Sequence, residues 1–160
     1  EEAGPIVSQA YEKQKAGDNA DAITLYQQAI KLIPDNASVW TNLGTAQQSS
    51  DNFQQARVSY QKAYDLDKKG AVGSLYLMGA IDENFNKGMQ ALGLYQQYLK
   101  ADPSGPYASL AKDRVAALTK NPSDVEKLQT ASQRAGVDCR IWTVASISGS
   151  RFWRPAAETK

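Results

Sequence analysis

From Trp40 to Ala63 apolar and small residues return every three or four positions, with one interruption. Trp40, Leu43, Gly44 and Gln47 fall along one stripe, and Phe53, Ala56, Tyr60 and Ala63 along a second. A period near 3.6 places such positions on one face of a helix. The interruption, Ser49 to Phe53 (SSDNF), is made of turn formers. The pattern predicts two helices joined by a tight turn. Gly44 needs a further reason, because a glycine inside a helix costs about 1 kcal/mol relative to alanine.

Shifting the chain against itself supplies that reason. Moved back 34 residues, Gly44, Ala56, Tyr60 and Ala63 fall on Ala10, Ala22, Tyr26 and Ala29. Moved forward 35, Leu43, Gly44, Ala56 and Tyr60 fall on Met78, Gly79, Ala91 and Tyr95. Turn-forming stretches recur at Ala16 to Asn19 and at Asn84 to Gly88, and Pro34 and Pro103 close the first and third copies. A period of this length is the signature of a solenoid whose unit is one supersecondary motif. Each copy reads as helix, turn, helix. Small residues at equivalent places let the two helices approach closely, with Leu25, Tyr26, Trp40, Tyr60, Leu94 and Tyr95 filling the space around the contact.

This arrangement resembles the tetratricopeptide repeat (TPR): an aromatic residue, Leu-Gly, Ala, an aromatic, Ala and Pro over 34 residues. The second copy carries it most fully in Trp40, Leu43, Gly44, Ala56, Tyr60 and Ala63. The first keeps Ala10, Ala22, Tyr26, Ala29 and Pro34; the third keeps Leu75, Met78, Gly79, Ala91, Tyr95 and Pro103. The resemblance implies an all-α fold, a right-handed α-solenoid of three helix-turn-helix units at about residues 3–36, 37–70 and 72–105. Two departures stand out. Lys68 replaces the closing proline of the second copy and an extra residue follows it, which predicts a looser joint to the third. Tyr98 stands where the other copies have Ala29 and Ala63, so a ring either fills a gap there or changes how the next helix docks.

A stacked array leaves its last apolar face bare unless a helix caps it. Residues 106–120 fit that need: Pro106 suits a first turn, and Tyr107, Leu110, Ala111, Val115 and Leu118 form a stripe. The array is therefore expected to span 3–120. Beyond it, Ser123 to Glu126 reads as a capping box opening an additional helix that ends near Gly136. The remainder is expected to be an irregular tail. Ile141 to Ile147 has strand-like residue types but no strand to pair with. Arg140, Arg151 and Arg154 beside Trp142, Phe152 and Trp153 admit a basic–aromatic patch for nucleic acid or lipid. The plainer reading is a tail that packs its tryptophans on the solenoid or stays partly disordered.

Charge and chemistry narrow the function. The chain of 160 residues has 18 basic and 17 acidic side chains, which argues against a polyphosphate-binding surface, so nucleic acid is not the expected partner. There is no histidine, which removes Ser-His-Asp and Cys-His systems and the commonest metal ligand. The one cysteine, Cys139, leaves both the cytoplasm and a bacterial periplasm open as compartments. Asp65/Asp67 and Asp82-Glu83 read as solvated faces or helix-end charges, and Gly70 to Gly73 as a linker. Asn36-Ala37-Ser38 matches a glycosylation acceptor, a triplet common by chance. The start at Glu1 reads as a mature or excised chain without a signal peptide, and no apolar run approaches the ~18 residues of a membrane span. Together these features point to a non-catalytic chain with no cofactor and no metal.

The resemblance implies where a partner would sit. In TPR arrays the first helix of each pair lines a concave groove that takes a peptide. Here the first copy would offer Val7, Ser8, Tyr11, Gln14 and Lys15; the second Thr41, Asn42, Thr45 and Gln48; the third Tyr76, Leu77, Ala80 and Glu83. The family's dicarboxylate clamp for acidic chaperone tails needs Lys and Asn on copy one, Asn on copy two, and Lys and Arg on copy three. Only Asn42 matches; Val7 and Tyr11 stand in the first copy's places, Gly73 and Leu77 in the third's. The expected function is a protein-interaction module that holds a partner segment through Asn42, Tyr11 and Tyr76. One alternative has these residues only satisfying neighbouring helices. Another has the array associating with itself through its end helices or its tail.

Overall fold

The computed structural model describes residues 3–120. Among them the chain forms seven helices and no strand: α1 (Ala3–Lys15), α2 (Asn19–Leu32), α3 (Ala37–Ser49), α4 (Phe53–Leu66), α5 (Gly73–Asn84), α6 (Gly88–Ala101) and α7 (Ala108–Thr119). Residues 1–117 make one compact unit. The helix expected from Ser123, the tail, Cys139 and the Arg–Trp–Phe cluster all lie outside the described residues.

The three turns within the pairs are built alike. Gly17, Asp51 and Asn86 each adopt positive φ, at 81°, 58° and 58°. The next residue's N–H reaches back five positions: Asp18 to the Lys13 carbonyl, Asn52 to Gln47 and Lys87 to Asp82, at 2.8–2.9 Å. This is the Schellman closure of a helix end, which satisfies the last carbonyls and reverses the chain in a few residues. In the first pair, Lys13 also bonds Asp18 at 2.8 Å and Asp21 at 2.7 Å. The Asn36 side chain is spent locally, capping α3 by accepting from the Val39 N–H at 3.1 Å.

The core runs as a line of small residues and tyrosines. Ala10, Ala22, Ala29, Ala56, Ala63 and Ala91 are fully buried, as are Tyr26, Tyr60 and Tyr98, and Tyr95 is 1% exposed. The glycines of the first helices make room for rings. A Cβ on Gly44 would lie 2.7 Å from Tyr60 Cε1, and one on Gly79 would lie 2.7 Å from Tyr95 Cε1. Each pair is sixteen residues apart, as are Ala10 and Tyr26. The expected close approach is therefore helix backbone against the edge of a tyrosine ring.

Three expectations from the sequence need correction. Asp82 is not on a solvated face: it is 1% exposed and accepts two bonds from Arg57, at 2.7 and 2.8 Å. That fork ties α4 to α5 at the joint where the proline is missing, so the joint expected to be loose is braced. Asp67 is a helix-end charge as read, exposed and accepting from the Lys69 and Gly70 N–H groups at 3.1 and 2.8 Å. On α7, Leu110 is 51% exposed and lies off the packed face, where Ala108 and Ala111 are buried instead. Tyr107 and Arg114 set this rotation. Tyr107 stacks on Tyr76 with centroids 4.6 Å apart and 5° between planes, and Arg114 bonds Glu83. Tyr98 fills its gap and also directs the chain: its hydroxyl accepts the Tyr107 N–H at 3.0 Å.

Candidate partner-binding face

The candidate residues sit on α1, α3 and α5, the first helices of the three pairs. Tyr11, Lys15 and Thr45 are exposed; Val7, Gln14, Thr41, Asn42, Gln48, Tyr76, Leu77, Ala80 and Glu83 are half-buried. The face is therefore accessible along all three copies, but its members are not equally free.

Three of them are held by the core. The buried Tyr26 donates its hydroxyl to Gln14 Oε1 at 2.8 Å, Tyr60 to Gln48 Oε1 at 2.9 Å, and Tyr95 to Glu83 Oε2 at 3.0 Å. The donor is always twelve residues after the acceptor. Tyr60 also reaches Thr45 Oγ1 at 3.3 Å. Burial pushes the Tyr60 hydroxyl up to about 12, partly offset by the Thr45 bond. Burial does the same to Tyr95, which also rises to about 12 with a smaller repulsion from Tyr76. Both remain neutral donors at physiological pH. Sequence reasoning missed this clasp, although the twelve-residue spacing of Gln/Glu and Tyr was there to find.

The third copy is further occupied. Glu83 also takes Arg114 of α7, through Nε at 3.0 Å and through the second guanidinium nitrogen. Tyr76 joins a cluster of rings, stacked on Tyr107 and 5.4 Å from Tyr95 at 41°. Tyr76 is thus a packing residue as well as a lining one.

Freedom concentrates in the first two copies. Tyr11 is 50% exposed, with Lys15 Nζ 5.6 Å from its ring centroid. Asn42 lies half-buried in the middle helix of the face, and its side-chain amide has no hydrogen-bond partner among the described residues. Its neighbours Thr41 and Thr45 turn their hydroxyls onto the Ala37 and Thr41 carbonyls, both at 3.0 Å. The face offers an amide with unspent donors and acceptor on α3, and an amphipathic ring with a cation near it on α1.

Comparison with known proteins bears on the architecture. A family model described as TPR repeat matches residues 10–51, and one described as Tetratricopeptide repeat matches residues 37–69. The helical array is built of tetratricopeptide repeats. Its TPR array is similar to part of serine/threonine-protein phosphatase 5 of Rattus norvegicus, 30% identical over 118 residues, covering 74% of this chain and 23% of the phosphatase. The chain spans less than a quarter of the length of the curated relatives it matches. Among solved structures, the Arabidopsis OM64 TPR domain superposes with TM-score 0.65 at 26% identity, covering 71% of this chain and 93% of that one. The first TPR of Spaghetti (RPAP3), bound to the HSP90 peptide SRMEEVD, superposes with TM-score 0.64 at 19% identity, covering 74% and 93%. At that identity the second likeness speaks for the fold alone.

Proposed function

We propose that this chain is a non-catalytic interaction module that docks an extended segment of a partner protein on the face carried by α1, α3 and α5. The unpartnered Asn42 amide at the middle of that face carries the reading. A carboxamide presents one acceptor and two donors, which matches the alternating groups of a peptide backbone. Tyr11 adds rigid contact area of the kind that dominates binding hot spots. The same fold holds an HSP90 peptide in the first TPR of Spaghetti (RPAP3). The partner here is a different kind of peptide. An acidic C-terminal tail would meet Lys15 on α1, while Leu77 and the already paired Glu83 stand on α5, so peptides ending in EEVD are expected not to bind at micromolar concentration.

The test is a pull-down read by mass spectrometry, with wild type beside a Tyr11→Ala/Asn42→Ala variant of matched melting temperature. Tyr76 stays intact because it packs against Tyr107. A partner held by wild type and lost by the variant supports this face. A partner held equally by both sinks it.

A further inference from the structure

An open cleft of about 740 Å³ lies between α2 and α4, with α3 as its floor. Ile30, Trp40, Leu43 and Val58 give it an apolar bed. Val58 is 67% exposed, and the Trp40 ring is fixed because its indole N–H donates to the Pro34 carbonyl at 2.7 Å. Four glutamines, Gln27, Gln28, Gln54 and Gln55, stand along the walls, and Lys31 is the one charged side chain lining it.

At the bottom lies Gln47, 6% exposed. Its Oε1 accepts from the Ser59 hydroxyl at 2.7 Å, and its Nε2 has no partner among the described residues. That nitrogen is not sealed in the core, where Ser74 Oγ is the one unpaired buried side-chain atom among the described residues, so it stands in the cleft as a donor for an acceptor that enters. The next joint in the array shows the contrast. There the equivalent positions hold Asp82 and Arg57, which close on each other. One repeat earlier the same two places are Gln47 and Ile23, and no fork forms.

We propose that this cleft is a second protein-docking site, taking an extended segment of a partner chain that has an uncharged centre and one acidic residue. A carbonyl of that segment accepts from Gln47 Nε2, an apolar side chain rests on Trp40, Leu43 and Ile30, and an acidic residue falls at the Lys31 end. The charge pattern selects this occupant: one cation and no carboxylate line the cleft, so a basic segment gains nothing there. The amide walls match both polar groups of a peptide backbone. The length agrees as well. Thr24 to Lys31 spans about 10 Å at the helical rise, the reach of about three extended residues.

Random heptapeptides displayed on phage and selected on the full chain test the proposal. Enriched sequences, synthesised with capped ends, are titrated against four proteins: wild type, Val58→Arg, Gln47→Met/Ser59→Ala, and Tyr11→Ala/Asn42→Ala. The expected peptides have an uncharged centre, an aliphatic or aromatic residue and one acidic residue. Val58→Arg fills an exposed position without touching the core and is expected to weaken them at least tenfold. Gln47→Met/Ser59→Ala removes both polar partners together and is expected to weaken them about fivefold. The Tyr11→Ala/Asn42→Ala chain is expected to bind them like wild type. Peptides that bind Val58→Arg as tightly as wild type would overturn the cleft. So would enrichment of basic sequences, no enrichment at all, or binding of neutral oligosaccharides that Val58→Arg abolishes. Peptides lost only by Tyr11→Ala/Asn42→Ala would end the cleft proposal while leaving the first-helix face standing.

Discussion

The ring of Tyr60 occupies the space that a side chain on Gly44 would need, with 2.7 Å between the ring edge and a Cβ built there. The same ring extends its hydroxyl to Gln48 on the candidate face. One residue thus fills the contact between two helices and holds a lining side chain in place. Tyr95 does both with Gly79 and Glu83. The candidate binding face is stiffened from beneath, once per repeat, by groups that belong to the core.

Substituting Gly44 separates helix propensity from packing. Gly44→Ala gains about 1 kcal/mol of propensity but forces a methyl into a buried ring, and overpacking costs about 1–3 kcal/mol. A net loss of about 1 kcal/mol is expected. Gly93 on α6 is the control, since nothing lies within 4 Å of a Cβ there. Gly93→Ala is expected to stabilise by about 1 kcal/mol. Urea unfolding of the two variants should shift in opposite directions; two shifts of the same sign would contradict the packing role of Gly44.

Alkaline unfolding should report the buried tyrosines. Burial raises Tyr60 and Tyr95 to about 12, against an unfolded value of about 10. Above the unfolded value the native state holds protons that the unfolded chain has released, so stability falls as pH rises. The stabilisation is complete below pH ~10 and is lost between pH ~10 and ~12. Melting temperature is expected to be flat from pH 8 to 9.5 and to drop across the next two units. Tyr60→Phe/Tyr95→Phe starts lower, having lost three hydroxyl bonds, and is expected to drop less. An equal drop in both proteins would place the titrating groups elsewhere.

The helices and turns were legible in the sequence because packing repeats: a small residue at 10, 44 and 79 and a tyrosine sixteen places on leave a trace at fixed spacing. The turns were legible as turn-forming stretches at the same spacing, though not their Schellman closure at Gly17, Asp51 and Asn86. Contacts formed once left no trace. The Arg57–Asp82 fork belongs to one joint only, and Asp82 beside Glu83 looked like an ordinary pair of surface carboxylates. The rotation of α7 was hidden because Leu110 and Ala111 are both apolar, and Tyr107 and Arg114 decide which faces inward. On the candidate face the positions were readable from the repeat register. Which of them were free was not, since that depends on whether a buried tyrosine reaches the side chain from below.

Ser74 marks a place where the fold is not optimal. It is 1% exposed at the start of α5, and its hydroxyl is buried without a hydrogen-bond partner. Leaving a buried polar group unpaired costs about 1–3 kcal/mol, and alanine is also the better helix former. Ser74→Ala is expected to raise stability by about 1 kcal/mol, seen as a higher denaturant midpoint with unchanged slope. A lower midpoint would mean that the hydroxyl has a partner in solution, such as an ordered water.

Docking of α7 rests on a few aromatic contacts. Tyr107 stacks on Tyr76 and meets Tyr98 edge-on at 6.0 Å. Such pairs contribute about 0.5–1.5 kcal/mol each beyond burial. Tyr107→Ala is expected to cost about 2 kcal/mol and to speed amide exchange in α7 and α5 before α1 and α2. Unchanged melting would refute the view that α7 caps the array.

Arg57 and Asp82 make an uneven pair, and the unevenness predicts unequal losses. Asp82 is 1% exposed, whereas the Arg57 side chain is 37% exposed. Remove the carboxylate, as in Asp82→Leu, and the guanidinium can turn into water, so the cost is the lost fork alone. Remove the guanidinium, as in Arg57→Leu, and a buried carboxylate stays behind without its cation. Breaking a buried pair in that way costs about 3–5 kcal/mol, and the lower end is expected here because solvent reaches the arginine side. Replacing both at once with Leu leaves no stranded charge and is expected to recover most of the loss. Chemical unfolding of the two single variants and the double one closes the cycle. If Asp82→Leu proves the more damaging single change, the carboxylate must be holding more than Arg57, and the α4–α5 joint is not the simple two-residue brace that the geometry describes.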